Sequence, residues 1–279
     1  MRYQGKTCLV ASMHEKERAI RTSFESLLGF QMEVSELNTD ALGTFTGEIE
    51  RSIPPKECAK TKCLNALLAH GKQIGIANEG SFVPHPVIPF ISVDYEIFFF
   101  TDLEIGYELC ISKMFTETNF AAAAFSEFDS ILELATKTQF PSHALIVRPN
   151  RWEDKKICFK GIQSIDHLYD AFEKSRLVSS DKQVWVETDM RAHKNPTRMA
   201  QLEKLAKEMA QRLATPCPVC SIPGWGPVDR MRGLSCADCG AETNLIKAVI
   251  WGCCQCPYKE SIPVDQALAE PQYCPLCNP

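Results

Sequence analysis

The sequence has no long uninterrupted apolar run. Its most apolar stretch, from Pro86 to Phe100, is broken by Asp94 and Glu96, and it is too short to cross a bilayer, which takes about 20 apolar residues as a helix. The opening residues MRYQGKTCLVASMHEKER lack the apolar segment and small-residue cleavage site of a secretory signal. These absences predict a cytoplasmic protein with no membrane association. Positive charge is not in excess either: 30 Lys and Arg stand against 35 Asp and Glu, for a net charge of −5 and a pI of about 5.8. Neutralising phosphates along a nucleic acid takes a basic surface, so the balance argues against a general nucleic-acid binder while leaving room for a local basic cleft. The chain also lacks low-complexity segments and any repeat beyond short cysteine pairs.

What is present suits a globular chain with a core. Its 279 residues are 45% hydrophobic, enough for one domain of about 200 residues and a small second one. Residues 1–214 alternate strand-like and helix-like stretches. The patterns predict strands over Lys6–Ser12 and Gln31–Val34. They predict helices over Glu15–Leu28 and from about Pro54 to Ala69. A strand over Gln73–Ala77 then ends in a turn at Asn78-Glu79-Gly80, and Phe90–Thr101 and Tyr107–Phe115 form a hairpin. Further on, Asn119–Thr136 reads as a helix, His143–Arg148, Ile157–Gly161 and Gln183–Thr188 as strands, and Ile165–Arg176 as a helix. In the last helix of this domain Asn195 is the cap, Pro196 suits the first turn, and Met199, Leu202, Leu205, Met209 and Leu213 make one apolar face. The expected fold is therefore α/β, a mixed sheet flanked by helices over residues 1–214, with a small zinc-ribbon module over 215–279.

Nine of the 14 cysteines lie in the last 63 residues. Eight form four C-x-x-C pairs, Cys217/Cys220, Cys236/Cys239, Cys253/Cys256 and Cys274/Cys277, separated by 15, 13 and 17 residues. Each pair sets two thiolates on one side of a tight turn, and two pairs make a tetrahedral S4 site of the kind zinc favours. The expectation is two structural zinc ions, because four thiolates leave no open coordination position. Few large apolar side chains occur in this stretch, so metal binding must supply the folding free energy. Sequential pairing closes shorter loops than an interleaved cross-brace and is the expected arrangement. Trp225 and Trp251 are expected to pack against the turns.

Three segments of the larger domain are dense in polar residues. His14-Glu15-Lys16-Glu17-Arg18 opens a helix, where a lysine beside the N-terminus suits a phosphate, although Glu15 and Glu17 also fit an ordinary charged first turn. The second is the acidic, glycine-containing loop around Asp40 to Arg51, with Glu48, followed by Glu57, Lys60 and Lys62 on a helix. The third is Asn78-Glu79-Gly80-Ser81 after a strand. Carboxylates at a strand end together with lysines suit magnesium plus a polyphosphate, although each carboxylate taken singly reads as a solvated surface group.

At these residues the sequence resembles a known superfamily. Glu57-Cys58-Ala59-Lys60-Thr61-Lys62 is similar to the E-N-A-x-x-K stretch of the inosine/xanthosine triphosphate pyrophosphatases, which include the Maf-like proteins. Ala77-Asn78-Glu79-Gly80-Ser81 is similar to the acidic turn that follows there, and the opening strand with Lys16 to the lysine-containing first turn. The whole chain also resembles a bacterial family of unassigned activity that couples such a domain to a cysteine-rich tail. The resemblance implies Glu79 as the essential acid or magnesium ligand, Glu57 as a second metal ligand, and Lys16 and Lys62 as phosphate contacts; Glu48, in the acidic loop, is a further candidate magnesium ligand. It also implies that Arg191, His193 and Arg198, in a late loop, touch base and phosphate. This chain departs from the pattern at Cys58, at Met13-His14 and at Asn78, where the family carries asparagine, asparagine and a second acid.

The expected function is a metal-dependent hydrolase acting on a nucleotide or related phosphorylated small molecule. The rival is a non-catalytic nucleotide sensor or adaptor whose zinc ribbons bind a protein or nucleic-acid partner, and each departure adds to it.

Overall fold

A computed structural model describes residues 2–37, 53–150 and 157–279. The chain divides into two compact units, Arg2–Glu208 and Met209–Pro279. Among the described residues no helix is long and apolar enough to cross a membrane.

The first unit begins with β1 (Thr7–Ala11), α1 (Glu17–Leu28), β2 (Gln31–Val34), α2 (Pro55–His70), β3 (Ile74–Pro84), β4 (Ser92–Asp102) and β5 (Tyr107–Phe115). Their strands form a mixed sheet in the order β2-β1-β3-β4-β5. β1 runs parallel to β2 and β3, while β3, β4 and β5 are a continuous antiparallel meander. Parallel neighbours need a crossover, which α1 supplies between β1 and β2. One face of α2, Ala59, Cys63, Ala66 and Leu67, packs on Leu9, Ala11, Ala77 and Phe99. Small residues let the helix come close. A Cβ added at Gly75 would stand 2.9 Å from Leu67 Cδ2 and 3.1 Å from Cys63 Sγ. An aromatic cluster of Tyr3, Phe24, Phe30, Phe100 and Tyr107, with ring centroids 4.6 to 6.4 Å apart, is fully buried. Each such ring is worth about 1.5–3 kcal/mol of burial. Cys8 and Cys63 are ordinary core residues whose thiols burial pushes up, that of Cys63 to about 12.

The rest of the unit holds β6 (Ala122–Phe125), α3 (Phe128–Lys137), β7 (Leu145–Arg148), β8 (Phe159–Ile162), α4 (Ile165–Val178), β9 (Val184–Thr188) and the start of α5 (Pro196–Ala214). An antiparallel sheet β6-β9-β7-β8 carries α3 and α4, with Ile131, Leu145, Val147, Leu168, Phe172, Val184 and Val186 at its core. The helix expected from Asn119 is thus corrected: Ala122–Phe125 is a strand paired with β9, and the helix starts at Phe128. The alanines favour helix locally, but the open edge of β9 offers them backbone partners, and tertiary pairing overrides propensity. Asn195 does cap α5: its Oδ1 accepts from Arg198 N at 3.0 Å, and its Nδ2 donates to Asn119 Oδ1 at 2.8 Å.

In the second unit β10 (Gly226–Arg232), β11 (Ile246–Gly252) and β12 (Lys259–Pro263) form an antiparallel meander with β11 in the middle.

Candidate functional site

The site assembles where β1 ends. Ala11, the last residue of β1, pairs with Ala77 of β3, so Asn78 and Glu79 are the first residues of β3 beyond it. The expected acidic turn is instead the middle of a strand: Asn78, Glu79 and Gly80 stay in register with Phe98, Ile97 and Glu96 of β4. An eleven-residue antiparallel partner satisfies the backbone through this stretch, and neighbouring elements supply counter-charges to its side chains.

Glu79 pairs with Lys62 of α2, and both side chains are almost wholly buried. Asn78 Oδ1 accepts from Lys16 Nζ at 2.8 Å, and Asn78 Nδ2 donates to Glu96 Oε2 at 2.9 Å. Arg198 of α5 donates from Nε to the other Glu96 oxygen at 2.7 Å and from Nη1 to Met190 O, and its guanidinium lies 5.4 Å from the centroid of the Phe82 ring. Arg198, Glu96 and Glu79 are each no more than 2% exposed. Gly80 makes room for this chain: a Cβ there would stand 2.5 Å from Glu96 Oε1 and 2.6 Å from Arg198 Nη2. Burial, with Arg198 adding to it, pushes the Lys16 ammonium down to about 8, against the opposing pull of Glu96 and Glu79.

Lys16 is delivered by a strained turn. His14 and Glu15 have φ of 65° and 57°, a left-handed conformation costing on the order of 1–2 kcal/mol per non-glycine residue. His14 stacks on His193 with ring centroids 5.3 Å apart. Burial, then Lys16, His193 and Arg191, push the His14 imidazole down to about 4. His193 is lowered too, by burial and then Arg191. Arg191 is held by the buried Asp189, from Nη2 at 2.6 Å.

The structure therefore brings Lys16, Lys62, Glu79 and Arg198 into one charged network, with His193 and Arg191 bordering it through His14. Glu57 does not join them. It is exposed on α2, where the charges it acts on are Lys60 and Cys110. Glu48 lies outside the described residues. Two members were not anticipated, Asp94 and Glu96. The signal was there: two acids two residues apart in the most apolar stretch of the chain lie on one face of a strand.

The cysteine pairs also meet, in an interleaved way. Cys217, Cys220, Cys253 and Cys256 form one tetrad, and Cys236, Cys239, Cys274 and Cys277 the other, with the sulfurs of each within 4.8 Å of one another. The sequential expectation is thereby corrected, and the meander is the reason. Cys217/Cys220 precedes β10 and Cys253/Cys256 follows β11, whose far end pairs with the start of β10 at Gly226 and Gly252. Cys236/Cys239 lies between β10 and β11, at the opposite end, and the chain returns there after β12. Closing a loop of twice the length costs only about 0.6 kcal/mol more, less than breaking a three-stranded sheet.

Each tetrad could hold a metal ion. Cross-pair sulfur distances are 3.5 and 3.8 Å in both, and the edge of a tetrahedron with ~2.3 Å metal–sulfur bonds is ~3.8 Å. The turns are built alike: Ser221, Gly240 and Asn278 N–H groups donate to the carbonyls of Cys217, Cys236 and Cys274 at 2.9 to 3.0 Å. Backbone N–H groups of Gln255 and Cys256 point at Cys253 Sγ, at 3.3 and 3.4 Å, as a thiolate requires. Trp225 stacks on Tyr258 at 5.3 Å and tilts against Trp251 at 6.3 Å.

No curated protein matches this chain. Residues 62–279, which carry Lys62, Asn78, Glu79, Glu96, Arg198 and both cysteine tetrads, match the family described as a domain of unknown function, DUF6671, and the chain belongs to that family.

Proposed function

We propose that the Arg2–Glu208 unit is a hydrolase acting on a nucleotide or related phosphorylated small molecule, and that both cysteine tetrads hold zinc in a purely structural role. The observation that carries the first part is the pairing of Lys16 with Asn78, Lys62 with Glu79 and Arg198 with Glu96, all beyond the end of β1. Ligands of open α/β sheets sit in this position, and three cations suit a phosphate chain. The short motifs shared with the triphosphate pyrophosphatases, and their order along the chain, add support.

Of the expected magnesium carboxylates, Glu79 alone lies in the network among the described residues, and one carboxylate does not make a six-oxygen site. A divalent ion would have to arrive with the substrate's phosphates, where it would withdraw charge from the phosphoryl group. Glu79, once parted from Lys62, would meet that complex, while Lys16 and Lys62 hold the phosphate oxygens.

The buried Glu79–Lys62 pair favours a second reading. An acid already neutralised by a lysine suits a protein that senses the nucleotide without cleaving it. A panel of nucleoside triphosphates with Mg²⁺, given to native protein and to Glu79→Gln, separates the two. Turnover by the native form alone supports the hydrolase. Binding without turnover by either form leaves the sensor, and absence of binding ends both. Elemental analysis finding about two zinc ions per chain tests the tail; a folded, metal-free tail would sink that part.

A further inference from the structure

Asp94 is the least satisfied charged group of the site. It is 0% exposed, and neither carboxylate oxygen has a hydrogen-bond donor within reach among the described residues. It lies two residues from Glu96 on β4, on the face that carries Asn78, Gly80 and Phe82. Its cross-strand neighbours, Phe82 on β3 and Phe115 on β5, offer no charge. The charged groups acting on it are Glu96 on its own strand, Arg198 from α5 and Lys16 from the turn before α1. Glu96 has already taken Arg198 and Asn78 as donors, at 2.7 and 2.9 Å. Two buried carboxylates in contact repel strongly unless something positive lies between them.

A divalent cation is a poor candidate for that place. It needs about six oxygens, whereas the neighbours here are two carboxyl groups, the amide of Asn78 and the nitrogen donors of Arg198 and Lys16, whose charges would oppose it. A proton needs only the two carboxyl oxygens.

We infer that Asp94 and Glu96 share a single proton, and that Asp94 is thereby a positioning residue, the neutral acid that holds Glu96 in place for the chain running from Arg198 through Glu96 and Asn78 to Lys16. The arrangement agrees with the direction in which burial, and then Glu96, push the Asp94 carboxyl, up to about 8. With the proton in place, Asp94 and Glu96 together carry one negative charge. Lys16 and Arg198, on the same face of the strand, then face that charge, which leaves this face with one net positive charge, while Lys62 and Glu79 offset each other on the opposite face. This consequence rests on the phosphorylated-ligand reading: the excess charge suits a polyanion and would be cancelled once the proton is lost.

Urea unfolding of native protein and of Asp94→Asn, between pH 5 and 8, tests the shared proton. An acid protonated when folded and ionised when unfolded makes stability fall as pH rises between its two pKa values. The native unfolding constant should therefore rise about tenfold per pH unit relative to that of Asp94→Asn, which carries no such proton. A difference that stays constant over the range, with Asp94→Asn the less stable form, would mean that Asp94 is ionised in the fold and would overturn the inference. Histidine contributions are common to both proteins and cancel in the comparison. Should Asp94→Asn not fold, the infrared carbonyl band of a protonated carboxyl group in native protein decides. Present at pH 6 and lost by pH 9, it supports the proton; absent at pH 6, it overturns it. Tripolyphosphate binding at pH 7 tests the site separately. A gain of tenfold or more in Asp94→Asn would mean that the substitution had removed a negative charge, and would overturn the inference. If neither form binds, the phosphorylated-ligand reading fails, and the unfolding curves still judge the proton.

Discussion

The two units hold themselves together by different means. Arg2–Glu208 has two sheets, each packed with helices over apolar cores, and stacked rings of Tyr3, Phe24 and Phe30 against which Phe100 lies tilted. It can bury Lys16, Lys62, Glu79, Asp94, Glu96 and Arg198 because the core supplies stability that the charges do not; a buried ion pair seldom improves on apolar packing of the same volume. Met209–Pro279 has one three-stranded sheet, most of whose outer-strand residues are exposed, and two cysteine tetrads. On the zinc reading, the sulfurs there replace the missing core. The difference teaches where each unit is vulnerable: the first to a lost counter-charge, the second, on the zinc reading, to a lost ion.

Removing metal should break the comparison most sharply. Structural zinc sites contribute about 10–16 kcal/mol, so a strong chelator should unfold Met209–Pro279 and leave Arg2–Glu208 folded. Hydrogen exchange read segment by segment checks this, and full protection of β10 to β12 without metal would contradict it. Next in size is Arg198→Ala. It strands Glu96 without its guanidinium, at about 3–5 kcal/mol, measured by denaturant unfolding of the first unit. Gly80→Ala acts on the same pair by volume, since its Cβ would stand 2.5 Å from Glu96 Oε1. It should cost about 1–3 kcal/mol, and more in native protein than in a background already lacking Arg198, because the two changes share one partner.

The smallest effect concerns Lys16. Its folded pKa, about 8, lies below the ordinary lysine value of 10.5, so the folded state sheds its proton first as pH rises. Between those values the unfolded state binds more protons, and stability therefore increases with pH, by at most about 1 kcal/mol from pH 8 to 9. Lys16→Met should abolish that increase in unfolding curves recorded at the two pH values.

Much of this was legible beforehand, for identifiable reasons. Helix α5 was readable because Asn195, Pro196 and the apolar face from Leu202 to Leu213 agree with one another. The β4–β5 hairpin was readable from its two runs of apolar and aromatic residues. Lys62 and Glu79, singled out by charge and by motif, pair with each other, and Lys16 bonds Asn78, the residue next to Glu79. Glu57 fits its motif yet projects to solvent, because helical geometry turns it about 140° away from Lys62. β6 hid behind alanines whose local preference is helical, and Asp94 and Glu96 read as interruptions of an apolar run.

By itself the sequence marked eight tail cysteines as candidate metal ligands, since the x-x spacing recurs four times and needs no fold to be recognised. It also determined an α/β unit, because hydrophobic period is a local property. Which cysteines come together in a tetrad, and which buried charges meet, only the tertiary structure decided. The order of strands in a sheet brings together residues far apart along the chain, as it does Lys16, Asn78, Glu96 and Arg198, and no local pattern encodes that order.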